Sequence, residues 1–118
     1  MARYQDLVVW QKAMLLVEET YTITKYFPAT EQYALANQMQ RAAVSIPSNI
    51  AEGSRRATKK DTAHFLTIAF ASGAELETQI EISRRLQYVT EIQVSNADRL
   101  LDEVMRMLNA MIYKKDTH

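Results

Sequence analysis

The side chains able to carry chemistry are few, and their spacing is poor for it. The chain holds two histidines, His64 and His118, and no cysteine. Disulfides and thiolate metal sites are therefore excluded. A di-metal centre between helices needs several inward Glu residues and a pair of Glu-x-x-His motifs. Asp61-x-x-His64 is the single near match and falls at a helix start, while His118 is the last residue. The expectation is no metal, with His64 a surface or end-of-bundle residue. No Gly-x-Ser-x-Gly occurs, and the Ser and His residues show no triad-like grouping. The only glycines are Gly53 and Gly73, so no glycine-rich phosphate loop exists. Glu75 and Glu77 flank Leu76 and diverge by about 200° around a helix, so they cannot work as paired carboxylates on one face. No catalytic residue, cofactor or small-molecule substrate is expected, and hence no enzyme.

What remains is cationic. Arg55, Arg56, Lys59 and Lys60 crowd one short stretch, and Lys114 and Lys115 another. Where they lie relative to each other depends on the elements between them. The chain has 118 residues, which supports one domain over 1–118. Two Gly and two Pro are too few for a chain of tight turns, so an all-β sandwich is not expected. The apolar runs fall far short of the ~18 residues of a membrane span, and no signal peptide is visible. The expected compartment is the cytoplasm, with no membrane partner.

Breaks at Phe27-Pro28-Ala29-Thr30, Gly53-Ser54-Arg55-Arg56 and Tyr88-Val89-Thr90 leave room for four helices. The first is expected over about 6–26, capped by Asp6, with Leu7, Trp10, Met14, Val17 and Tyr21 as its core stripe. The second, over about 30–52, carries Leu35, Met39, Ala42, Ile46 and Ile50. Pro47 lies inside it, removes one N–H and predicts a kink relieved by Ser45 or Ser48. Gly53 is expected to end it as a left-handed cap. The third begins with a capping box at Thr58-Lys59-Lys60-Asp61 and runs through Phe65, Ala69, Ser72 and Leu76 to about 87. The fourth starts with a capping box of Thr90 and Gln93 and shows Ala97, Leu101, Val104, Leu108 and Met111. Short connections make successive helices antiparallel, so the fold class is all-α, an up-down-up-down four-helix bundle with its second helix kinked at Pro47. Gly73, in a run of small residues, marks a close helix approach, either within the chain or between subunits.

That layout sorts the charges. Lys+Arg and Asp+Glu are each 14, so the chain is neutral and is no bulk polycation. Yet Arg3, Arg55, Arg56, Lys59, Lys60, Lys114 and Lys115 share one end and outnumber Asp6, Glu52, Asp61 and Asp116 there. A basic end attracts phosphates with salt-sensitive affinity. Lys114 and Lys115 also complement a helix dipole, but Lys59 and Lys60 sit at the wrong terminus for that. In an antiparallel hairpin Arg41 and Glu75 come level, which predicts a structural bridge. Asn49 falls within about a turn of Trp10. Asp6, the Trp10 N–H or the backbone freed by Pro47 are its expected partners, in a polar cluster that fixes helix register.

The motif residues resemble a known family. Asp6-Leu7-Val8-Val9-Trp10-Gln11-Lys12-Ala13 is similar to its opening, followed by Phe27-Pro28. Arg41-Ala42-Ala43-Val44-Ser45-Ile46-Pro47-Ser48-Asn49-Ile50-Ala51-Glu52-Gly53 resembles its most specific signature, and Ala74-Glu75-Leu76-Glu77-Thr78-Gln79 its third-helix motif. These are the marks of the four-helix bundle proteins encoded in intervening sequences of 23S ribosomal RNA genes, and the resemblance runs over about 6–113. It implies a homopentamer, in a family with no established enzymatic activity. It also points to the related accessory variability proteins of diversity-generating retroelements, similar pentamers that associate with a reverse transcriptase and its RNA. The expected function is a non-enzymatic, oligomeric scaffold or adaptor. Its candidate partner is RNA, or a reverse-transcriptase-like protein that holds RNA, met through Arg55, Arg56, Lys59 and Lys60, with Lys114 and Lys115 secondary. The alternative is a protein-interaction module without nucleic-acid affinity.

Overall fold

Polar side chains that accept backbone N–H groups set where two of the helices begin. Thr90 Oγ1 accepts from the Gln93 N–H at 3.2 Å and Gln93 Oε1 accepts from the Thr90 N–H at 2.9 Å, a complete capping box. Thr58 Oγ1 accepts from the Asp61 N–H at 3.1 Å and starts the preceding helix. The computed structural model describes residues 3–114. In it α1 spans Val8–Thr24, α2 Leu35–Ser54, α3 Lys59–Arg85 and α4 Glu91–Ile112. Short 3-10 turns at Tyr4–Asp6 and Ala29–Glu31 precede α1 and α2. The first of these corrects one expectation. Asp6 is part of the turn itself, and Leu7 precedes α1 with no side-chain cap. The second turn delays α2 to Leu35, because the chain leaves Pro28 in an extended conformation and needs one tight turn before the helix.

Each helix touches its two neighbours, in the cyclic order α1–α2–α3–α4, and among the described residues the diagonal pairs do not meet. This is the antiparallel up-down-up-down bundle. Its core contains Leu16, Ile23, Met39, Ile46, Ile50, Leu76, Ile80 and Leu108, all fully buried. The stripes expected for α2 and α4 supply much of it: Met39, Ala42, Ile46 and Ile50 are buried, as are Ala97, Leu101, Val104 and Leu108. The stripe expected for α1 does not. Val9, Ala13, Leu16, Thr20 and Ile23 face inward instead. The helix is apolar on most of its circumference, so two stripes compete. Thr20 joins the core because its hydroxyl donates to the Leu16 carbonyl at 2.8 Å, which leaves no polar atom unsatisfied.

α2 runs unbroken through Pro47, and the kink expected there has no interruption of the helix to support it. Gly53 is a second correction. It lies inside α2, and no glycine has a positive φ. A Cβ at Gly53 would stand 3.2 Å from Phe65 Cβ and 3.2 Å from the Thr62 carbonyl oxygen. Glycine fits the close crossing of α2 and α3, where a Cβ would be tight, and serves no left-handed turn. The left-handed residue is Gln87, φ 62°, in the α3–α4 connection. At Gly73 the space of a Cβ is taken by the Met105 side chain of α4, whose Sδ would lie 2.3 Å from it, so this glycine packs within the chain. Among the described residues no helix is long and apolar enough to cross a membrane.

Candidate functional site

The cations of the α2–α3 connection are displayed on rings. Arg55 follows the last turn of α2, its N–H bonded to the Glu52 carbonyl at 3.2 Å. Its guanidinium lies 5.2 Å from the centre of the Tyr4 ring. Tyr4 in turn meets Trp10 edge-on at 5.3 Å, so Arg55 rests on a stack anchored in α1. Arg56 lies 4.6 Å over Phe65, which His64 meets edge-on at 5.2 Å, and one of its nitrogens pairs with the Glu52 carboxylate at 2.5 Å. Such contacts hold a guanidinium at the surface for about 0.5–1 kcal/mol, without burying its charge.

Lys59 and Lys60 are exposed in the first turn of α3. They add to the positive end of that helix dipole instead of neutralising it. Among the described residues Lys60 makes no ion pair. Arg3, exposed, precedes the turn that carries Tyr4. Lys12 of α1 is bonded to Glu103 of α4, so the last turns of α4 run beside the start of α1, and exposed Lys114 falls at this same end. Lys115 and His118 lie outside the described residues. The structure thus brings Arg3, Arg55, Arg56, Lys59, Lys60 and Lys114 to one end. Among the described residues, no group of three His, Asp or Glu side chains is placed to hold a metal.

The motif residues behave differently from expectation. Arg41 and Glu75 are both exposed and form no ion pair with each other. Arg41 points outward from α2, beside Tyr21 and Val44, while Glu75 Oε1 accepts from Gln79 Nε2 at 3.2 Å in its own helix. Asn49 does not bond Asp6 or Trp10. Its Nδ2 donates to the Ser45 carbonyl at 2.8 Å and to Ser45 Oγ at 3.0 Å, and Ser45 Oγ shares a hydrogen bond with Ser72 Oγ at 2.8 Å. The polar cluster therefore fixes α2 against α3, not against α1. Trp10 instead lines an apolar groove between α1 and α2, with Tyr4, Met14, Val17, Val44, Pro47 and Ala51. Sequence reasoning missed that groove and the rings beneath the arginines. Phe65, two turns into the helix that follows Arg56, was the available signal, whereas Tyr4 is remote from Arg55 in the chain and gave none.

The opposite end is tied down. Arg84 bonds Glu91 at 2.9 Å, Glu81 at 3.3 Å and Asp98 across the α3–α4 turn. Arg85 bonds Glu81 at 3.1 Å. The hydrogen bond from Arg85, with help from Arg84, holds the Glu81 carboxyl below its ordinary range. Burial pushes Asp98 up, and the charges of Glu91 and Glu81 add to that against the pull of Arg84. Tyr88 donates to Glu31 at 3.0 Å and leans on Phe27, ring centres 5.3 Å apart. That bond raises the Tyr88 hydroxyl, because ionised Tyr88 would face a carboxylate.

This chain belongs to the 23S rRNA-intervening sequence protein family, whose model matches residues 5–110. Its fold is similar to the crystal structure of a protein of unknown function from the S23 ribosomal protein family of Bacteroides thetaiotaomicron. The TM-score is 0.81 at 25% identity, over 90% of this chain and 99% of that one. No curated protein matches.

Proposed function

We propose that this chain is a non-enzymatic, oligomeric scaffold of the cytoplasm that contacts RNA through the basic end of its bundle. One observation supports this most: Arg55 and Arg56 are held outward over Tyr4 and Phe65, next to Lys59 and Lys60 at the N-terminus of α3. An RNA phosphate there meets several cations together with the positive dipole of a helix start. The homopentamer implied by the family resemblance would place copies of this end in one ring and raise avidity without any new contact. The resemblance to accessory variability proteins, which associate with a reverse transcriptase and its RNA, favours RNA already held by such a protein.

The test is retention of labelled RNA by the purified protein across a salt series. Affinity is expected to fall steeply with salt. Reversing Arg55, Arg56, Lys59 and Lys60 to Glu should abolish retention while the helical circular dichroism is unchanged. Tight binding indifferent to salt, or to the reversal, overturns the reading. A second reading is a protein-interaction module without nucleic-acid affinity. The balanced total charge and the Arg56–Glu52 pair favour it. A partner that stays bound after nuclease treatment, with no RNA retained, would select it.

A further inference from the structure

We propose that neighbouring copies of this chain join by seating the outer ridge of α3 in the α1–α2 groove of the next copy, with Glu75 of one copy paired to Arg41 of the other. The proposal rests on the oligomeric reading above and adds the surfaces and the contact that build it.

The groove is a helical seam left half in water. Trp10, Met14, Val17 and Tyr21 repeat at alternating steps of four and three, the spacing of residues that pack into another helix. They face α2, yet Met14 is 38%, Tyr21 44% and Val44 41% exposed. The ridge has the same spacing. Ile68, Ala71, Glu75, Thr78 and Ile82 run along the exposed side of α3, with Ile68 36% and Ile82 40% exposed at its ends. Its middle is a carboxylate, and the groove has an arginine at its edge.

Height along the bundle decides whether these features meet. The Ser45–Ser72 hydrogen bond sets α2 level with α3. Counting from it in opposite directions, Arg41 is level with the turn that holds Glu75, and Ile68 with Asn49. Pro47 and Ser48, next to Asn49, line the groove beside Trp10. In a closed ring whose axis runs along the bundle, one copy reaches the next by rotation alone, so groups at one height face groups at the same height. Ile68 then arrives beside Trp10, and Glu75 beside Arg41. Apolar meets apolar and cation meets anion at the same setting. Among the described residues Arg41 forms no hydrogen bond or ion pair, and Glu75 pairs with no cation, so neither has to give up an intrachain ion pair. Groove and ridge are different surfaces, which makes the contact head-to-tail and turns every basic end to one face of the ring.

The experiment is light-scattering mass of the full chain, whose protomer is 13.6 kDa. Arg41→Glu alone and Glu75→Arg alone should each raise the dissociation midpoint about tenfold or more, since each sets like charges together at every contact. Mixing the two variants should recover association, because each groove then finds an opposite charge on its neighbour. Recovery is partial in an odd-numbered ring, where one contact stays mismatched. Ile68→Lys should dissociate the wild-type assembly as well. Recovery by the double variant R41E/E75R in one chain but not by mixing would mean an intrachain bridge and overturns the seam. A wild-type oligomer unchanged by all of these substitutions overturns the seam and leaves the oligomeric reading standing. A wild-type protein that stays at protomer mass overturns both.

Discussion

At one end of the bundle Arg84 sits among Glu81, Glu91 and Asp98, and Tyr88 bridges Phe27 to Glu31. At the other, Arg55 and Arg56 lie over Tyr4 and Phe65, and Lys59 and Lys60 stand at a helix start that their charge opposes. The same residue type does opposite things in the two places. A guanidinium ringed by carboxylates from two helices is a fastener, and its charge is used up locally. A guanidinium laid on a ring keeps its charge outward and available to an anion. The difference lies in the neighbours: three acids within reach of Arg84, one for Arg56, and a ring for Arg55.

The contrast is sharpest in stability. Arg84→Ala leaves three carboxylates together without their shared cation. It should cost about 2 kcal/mol, between the values for exposed and buried ion pairs, and should lower Tm. Arg55→Ala should cost within about 1 kcal/mol, the worth of an exposed cation–π contact. If Arg55→Ala proves the more damaging, the two ends do not divide stability from display. The helix starts give a smaller contrast. Thr90→Ala breaks a reciprocal box and should cost about 1 kcal/mol in chemical denaturation, while Thr58→Ala removes a single cap bond and should cost about half that.

The smallest effect is in the acid limb of Tm against pH. Glu81 is held low by Arg85 and Arg84, so its contribution is complete above the ordinary carboxylate value of about 4.3 and is lost as pH falls through its folded value. Asp98 is raised by burial, so it favours the fold at acid pH and that advantage disappears as pH rises through its folded value. Glu81→Gln should therefore flatten the acid decline, and Asp98→Asn should steepen it. Identical acid limbs for both variants and wild type would show that this end is not held by its charges.

Several of these elements could be read in advance. The capping box at Thr90 and Gln93 and the cap at Thr58 are local chemistry, decided within a few residues. The stripes of α2 and α4 were legible because their polar residues leave one apolar face. α1 was not legible, since Val8, Val9, Trp10, Met14, Leu15, Leu16 and Val17 surround it with apolar side chains and periodicity cannot choose between stripes. The cationic turn could be named from its residues. The ring beneath Arg55 could not, because Tyr4 reaches it only after two helices have folded back.

The sequence alone determined four helices, two of their starts, the family and the gathering of cations at one pole. Period, capping and charge order are properties of neighbouring residues and survive without a partner surface. Tertiary structure decided which face of α1 is buried, that position 53 is tight for a side chain, which residues answer Asn49, and that Arg41 and Glu75 stand level but unpaired. Those depend on distances between helices, and packing alone sets them.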